Sequence, residues 1–184
     1  MRKAIQYRKQ GEDYIMNKGF SWKSGLSVFL MLCITGCASV HGLSSAEREA
    51  GDKAYASGKY SLAAEKYISA ADDGDVVAQY RIGQMYAEGR GVSRNPGQAA
   101  SNVLKSADQG YGPACMTAAS WYLSGSNGLP KDEKKGAEYL SKEAEKGNPA
   151  AMFSLGCLYA KGTGVEKDAN TAVKSRVKGL IGIG

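Results

Sequence analysis

Cysteine, histidine and clustered aspartate are the side chains of this sequence best equipped for chemistry, and their spacing sorts them. A single histidine, His41, excludes a multi-histidine metal site and nearly every histidine-based triad. Asp72, Asp73 and Asp75 crowd around Gly74. Paired carboxylates do acid–base work only in a desolvated pocket; beside a glycine they read as a solvated turn with helix capping. Ser175 and Lys178 match a Ser-x-x-Lys spacing, but neither Ser-Asp-Asn nor Lys-Thr-Gly occurs anywhere to accompany them. Gly89-Arg90-Gly91 and Gly162-Thr163-Gly164 lack the preceding strand and following glycine of a phosphate loop, and read as helix terminators. No catalytic residue, metal ligand or cofactor site emerges, so the expectation is a protein that is not an enzyme.

Composition narrows the partners. The formal charge of +6 over 184 residues suggests an anionic partner until it is counted by position. Residues 1–36 carry six Lys/Arg against two Asp/Glu, and residues 37–184 carry eighteen against sixteen. A body of charge +2 lacks the clustered basic excess of a nucleic-acid groove. The 24 glycines and 25 alanines instead suggest helices that pack closely.

The chain divides first at an apolar run. Leu26–Ile34 is too short to span a bilayer, which takes about 20 residues, but has the length of a signal-peptide core and follows Lys18 and Lys23. Ile34-Thr35-Gly36-Cys37-Ala38-Ser39 comes next. It resembles the lipobox of bacterial lipoproteins, in which Cys37 would be diacylated and become the first residue. By the same resemblance, Ala38 after the cysteine implies the outer membrane, with the chain facing the periplasm. Residues 1–36 are thus expected to be a signal peptide, and Met16-Asn17-Lys18 is the better start for it. Residues 37–45 would form the lipidated tether, with His41 in it; two or more acyl chains anchor stably.

The remainder repeats. Gly74, Gly110 and Gly147 are separated by 36 and 37 residues, and so are Ala78, Ala114 and Ala151. Tyr86, Tyr122 and Tyr159 keep the same steps, as do Gly89, Gly125 and Gly162, and Ala71, Ala107 and Ala144. Gly83, Ala119 and Gly156 form a column of small residues only. The extra residue of the middle copy falls between Gly125 and Asp132. Each copy reads as two helices: Pro149 opens one, Gly162 ends it, and Asp168 caps the next. The small column would let the paired helices approach closely, with the tyrosine column filling the space beside it.

Ala78–Val92 and Ala151–Val165 resemble the Sel-one-like repeat, a relative of the tetratricopeptide repeat. Residues 113–147 are a looser match, with Ala119 in place of glycine and Leu129-Pro130 where the other copies have Gly-Val. Residues 46–75, with the Gly58-Lys59 turn, resemble a tetratricopeptide-like N-terminal cap, and residues 76–184 hold three Sel-one-like repeats, the last degenerate. The resemblance implies an all-α fold, a short α-solenoid of stacked helix-turn-helix repeats, whose first helices line a concave face that binds protein. It also makes β-lactam hydrolysis worth testing, since cysteine-rich members are associated with it. Those members hold a cysteine pair per repeat, whereas Cys33 lies in this leader, Cys37 is the lipid site, and only Cys115 and Cys157 remain. These occupy different columns, about 7.5 Å apart in register, and read as buried free thiols, a disulfide being the alternative.

By analogy with tetratricopeptide units, Tyr80, Met116 and Phe153, with Gln84, Ser120 and Cys157, point into the groove. The same three large side chains suit an inter-repeat core equally well, and both readings stand. Trp121 reads as core. The apolar, glycine-rich end Arg176–Gly184 reads as frayed, truncated or a sticky edge. The function expected is an envelope lipoprotein acting as a non-catalytic protein–protein interaction module, a scaffold or adaptor. An immunity lipoprotein that neutralises a secretion-system effector is the alternative, and a periplasmic β-lactam or cell-wall hydrolase a further one. The expected partners are a protein and, through the lipid anchor, a membrane, with no nucleic acid and no small-molecule substrate.

Overall fold

The computed structural model describes residues 44–182; Cys33, Cys37, His41 and the whole leader lie outside them. Eight helices follow one another among the described residues, with no strand. We label the helix over 44–56 α1, then α2 Tyr60–Asp72, α3 Val76–Glu88, α4 Pro96–Asp108, α5 Gly112–Ser124, α6 Glu133–Glu145, α7 Pro149–Lys161 and α8 Ala169–Ile181. Ser44 and Ser45, expected in the tether, are already helical. The fold is the expected all-α solenoid, each repeat being a pair: α3 with α4, α5 with α6, α7 with α8. None of these helices is long and apolar enough to cross a membrane.

Side-chain caps and one recurring backbone bond build each pair. Asn95, Asp132 and Asp168 precede the second helices, and each side chain accepts from amides of the first turn. Their own amides donate to the carbonyls of Tyr86, Tyr122 and Tyr159 at 2.9, 2.8 and 3.1 Å, closing the turn identically in all three repeats. The tyrosine column is thus also a backbone anchor. Thr171 adds two hydrogen bonds to Asp168, holding that carboxyl below its ordinary range.

The small-residue column brings the helices together, with an exchange that the sequence conceals. A β-carbon on Gly83 would lie 3.2 Å from the Ala99 carbonyl oxygen and 2.8 Å from Val103 Cγ2; one on Gly156 would lie 2.8 Å from the Ala172 carbonyl oxygen. In the middle repeat the glycine has moved to the other helix: Ala119 faces Gly136, whose added β-carbon would lie 3.2 Å from the Ala119 carbonyl oxygen. Each pair therefore has one methyl group at the crossing. The mismatch of Ala119 with its column is compensated across the contact.

The inserted residue is equally local. Gly91, Gly128 and Gly164 form one column, with φ between +67° and +82°. A β-carbon on any of them would overlap the first-turn backbone of the preceding second helix: Tyr60 of α2, Pro96 of α4, Glu133 of α6. Gly128-Leu129 therefore stands where the other copies have Gly-Val, and the extra residue lies upstream, where Asn127 takes a φ of +50°. This corrects the alignment that set Leu129-Pro130 there.

The core is divided into three clusters. One joins α1, α2 and α3 around Tyr67, Ile82 and Met85; the second joins α4 and α5 around Val103, Ala114 and Cys115; the third joins α5, α6 and α7 around Leu140, Leu155 and Leu158. Each spans a boundary between neighbouring units, as expected where no repeat can bury its face alone.

Candidate functional site: the face of the first helices

α3, α5 and α7 lie side by side, and their shared face carries little charge. α5 has no ionisable acid or base apart from its cysteine and tyrosine; of charged side chains α7 adds only Lys161, and α3 adds Arg81 and Glu88. Two open clefts mark this face. A cleft of about 400 Å³ is lined by Met116, Ala119, Ser120, Leu123 and Ser124 of α5, Leu140 of α6 and Ser154 of α7. One of about 280 Å³ lies between α3 and α5, lined by Gln84, Ala87, Glu88, Thr117, Trp121 and Asn127. Aliphatic side chains with serine, threonine and amide rims can hold a neutral segment of chain; the one carboxylate among the lining residues, Glu88, is paired with Arg90.

The residues singled out from sequence occupy different places. The Tyr80 hydroxyl accepts from Gln84 Nε2 at 2.8 Å and lies 3.3 Å from Thr117 Oγ1, which itself donates to the Pro113 carbonyl; Tyr80 is therefore the donor to Thr117. The Tyr80 ring packs edge-on to Tyr111, centroids 5.4 Å apart, against the cluster joining the first two repeats. Tyr80 is thus an inter-repeat contact with a polar edge on the face. Met116 packs against the third cluster and lines the larger cleft, where Ser120 is exposed. Phe153 is half-buried beneath the Arg176 guanidinium, 5.5 Å from its ring centroid, and beside Gly179; it lines neither cleft.

Sequence reasoning passed over Thr117, Ser154 and Leu123. The signal was the column after Tyr80: Arg81, Thr117 and Ser154 keep the repeat steps, and the last two face these clefts. Trp121, read as core, is half-buried, packing on the second cluster and walling the smaller cleft.

Cys115 and Cys157 carry free thiols; Cys115 is buried as expected, whereas Cys157 is only half-buried. Cys115 occupies the column of Gln79, and both reach back to equivalent carbonyls: Gln79 Nε2 to Ala71 at 3.3 Å, Cys115 Sγ to Ala107 at 3.3 Å. Burial pushes the Cys115 thiol above its ordinary range, with nearby Glu143 adding to the shift, so it is a weak nucleophile. Glu143 is itself 3 % exposed. Its carboxylate pairs with Lys146 at 2.7 Å and lies against Gly112, the first residue of α5. That helix begins at Tyr111 without a side-chain cap, whereas Asp75 and Asn148 cap α3 and α7. The carboxylate supplies the negative charge that a helix N-terminus favours. Among the described residues no group of three or more His, Cys, Asp or Glu side chains could hold a metal.

The model of the Sel1 repeat matches residues 76–111, 113–148 and 149–174. The chain belongs to the Sel1 repeat family. A Sel1 repeat protein from Oxalobacter formigenes superposes with a TM-score of 0.66 at 31% identity, over 73% of this chain and 54% of that one. A protective antigen of uropathogenic Escherichia coli with an SLR fold superposes at 0.70, again 31% identical, over 75% of this chain and 30% of that one. Among curated proteins, chitin synthase regulatory factor 3 of Schizosaccharomyces pombe is 33% identical over 59% of this chain and 12% of its own length. An ERAD-associated E3 ubiquitin-protein ligase component of Arabidopsis thaliana is 33% identical over 55% and 16%. The chain thus spans less than a fifth of these relatives' lengths. Their names describe a regulator and a component of an assembly, roles in keeping with Sel1 repeats as protein-interaction modules.

Proposed function

We propose that this protein is a non-catalytic adaptor that holds a protein partner on the face of α3, α5 and α7. The observation that carries the reading is the pair of clefts on a nearly uncharged face, one floored by Met116, Leu123 and Leu140. A neutral peptide segment with an aliphatic side chain fits the larger cleft, since charged groups would lose hydration among its lining without finding a counter-charge. The one carboxylate lining these clefts, Glu88, is paired with Arg90 rather than with a hydroxyl, so the face gives no support to hydrolysis.

The lipobox-like sequence around Cys37 supports an anchored location. In this reading residues 1–36 direct export, Cys37 takes the lipid, and the repeats face the periplasm from the outer membrane. Fractionation of wild type beside Cys37→Ser tests it: the wild type should pellet with outer membrane, and a variant in the same fraction would sink the anchor.

A photoreactive amino acid at Ser120, and separately at Glu138 on the exposed side of α6, tests the binding face in cells. The expected result is one stoichiometric protein adduct from position 120 only, abolished by Met116→Arg. Equal crosslinking from both positions, or none, would refute the assignment. A scaffold and an immunity protein would share this face, and rescue of cells challenged with the captured protein marks the second task.

A further inference from the structure

Of the six large hydrophobic side chains exposed among the described residues, four stand on α8: Val173 at 61%, Val177 at 46%, Leu180 at 72% and Ile181 at 59% exposure. Their spacing, i, i+4, i+7 and i+8, makes one continuous stripe. Lys174 and Lys178 border the stripe, and α8 contains no aspartate or glutamate. Its third cation, Arg176, turns the other way, onto Phe153.

We propose that this outer face of α8 docks on an anionic lipid bilayer, lying in the interface with the aliphatic stripe inward and the lysines at the headgroups. Inside the solenoid the same columns are covered differently. Leu180 falls in the column of Ala107 and Ala144, which the next first helix covers in the second and third clusters. Val173 falls in the column of Ala100 and Ala137. Replacing alanine by valine and leucine makes the ridge too bulky for the close stacking used inside. A second copy packed antiparallel would set Lys174 and Lys178 against their own equivalents. The four exposed aliphatic side chains stand out from α8 as a ridge, which a fluid bilayer accepts without a matching groove. The surface stands apart from the first-helix face and does not depend on Cys37.

Hydrogen exchange on the full chain tests this, because it reads α8 locally whatever the leader does. Mixed phosphatidylglycerol–phosphatidylcholine vesicles should slow exchange over residues 169–181 relative to free protein. Pure phosphatidylcholine vesicles should not, and α2 should be unaffected by either. Replacing Lys174 and Lys178 together by Gln should weaken partitioning of α8 roughly thirtyfold, and moderate salt should do likewise. Both lysines are exposed, and an unchanged circular dichroism spectrum will confirm that the variant folds. No slowing on the anionic vesicles, or equal slowing on neutral ones, overturns the proposal. Slowing without vesicles that grows with protein concentration also overturns it and makes a second copy the occupant.

Discussion

At the N-terminal end, α1 and α2 are tied down by polar contacts as well as packing. The Tyr67 hydroxyl donates to Asp52 at 2.7 Å, Arg48 reaches Asp75 at 3.1 Å, and Arg90 hydrogen-bonds Tyr55 while its guanidinium lies over the rings of Tyr55 and Tyr60. At the other end α8 has one buried residue, Ala172, and leans on α7 through the close contacts of Gly156 and Gly179. The bonds that join the cap unit to the first repeat reach across a boundary between units, whereas α8 bonds only within its own pair. Among the described residues the outermost helices of this quasi-one-dimensional fold each pack on one neighbouring unit, so the ties to it set how readily they open. Among the described residues, the N-terminal unit is therefore the more firmly tied of the two, and α8 presents the more exposed apolar surface.

The largest break in that comparison comes at Gly91. Its φ is +74°, and a β-carbon there would overlap the backbone of Tyr60, which cannot swing aside as a flexible side chain can. Gly91→Val should cost about 3 kcal/mol or more in urea unfolding, left-handed strain and overlap adding together. Gly182→Val at the other end has a similar φ, +65°, but nothing within 4 Å, and should cost about 1–2 kcal/mol, confined to the end of α8. Equal costs would mean that the loop does not join the cap unit to the first repeat.

Tyr67→Phe comes next. It removes a buried hydroxyl whose hydrogen bond to Asp52 links α1 to α2, and should cost about 1–3 kcal/mol. Burial and then the Asp52 contact raise this phenol above its ordinary value. The folded state therefore keeps the proton after the unfolded state has lost it. Stability should fall as pH rises above about 10, the unfolded value, and the variant should show a shallower fall. Tyr139, raised likewise by burial and Asp108, and the Cys115 thiol, raised by burial, add to the slope.

The helices and their pairing were legible because a 36- or 37-residue period survives in columns that each do one physical task. Glycine ends a helix, alanine permits approach, and tyrosine anchors a turn. What was hidden is what a repeat does across its contacts. Ala119 reads as a departure in its own column, and only the structure sets Gly136 opposite it; the buried Glu143 carboxylate against Gly112, at the uncapped start of α5, is equally invisible in sequence. Compensation between distant positions leaves no mark in a column read alone. The face was half legible: Met116 and Ser120 came from the tetratricopeptide analogy, but Phe153 was drawn off by Arg176. A column predicts a direction from its own helix, and the neighbouring helix decides what covers it.

A double-mutant cycle sharpens the same point for the interior. Gly136→Ala alone crowds Leu123 and the Ala119 carbonyl, and should cost about 1–3 kcal/mol by overpacking. Adding Ala119→Gly recreates the arrangement of the other two repeats and should recover about 1 kcal/mol. Simple additivity would mean that the exchange is incidental and that each repeat tolerates its own crossing distance.

The smallest effect belongs to α8. Leu180→Gln removes an aliphatic side chain that is 72% exposed and should change unfolding free energy by no more than about 0.5 kcal/mol. Leu140→Ala, at 3% exposure in the third cluster, should cost about 2–5 kcal/mol. The contrast matters because leucine at position 180 confers almost no stability on the described fold, so its presence on the surface calls for another cause. If Leu180→Gln destabilises as much as an interior change, the side chain is covered by some part of the full chain, and the exposed edge on which the comparison of the two ends rests does not exist in solution.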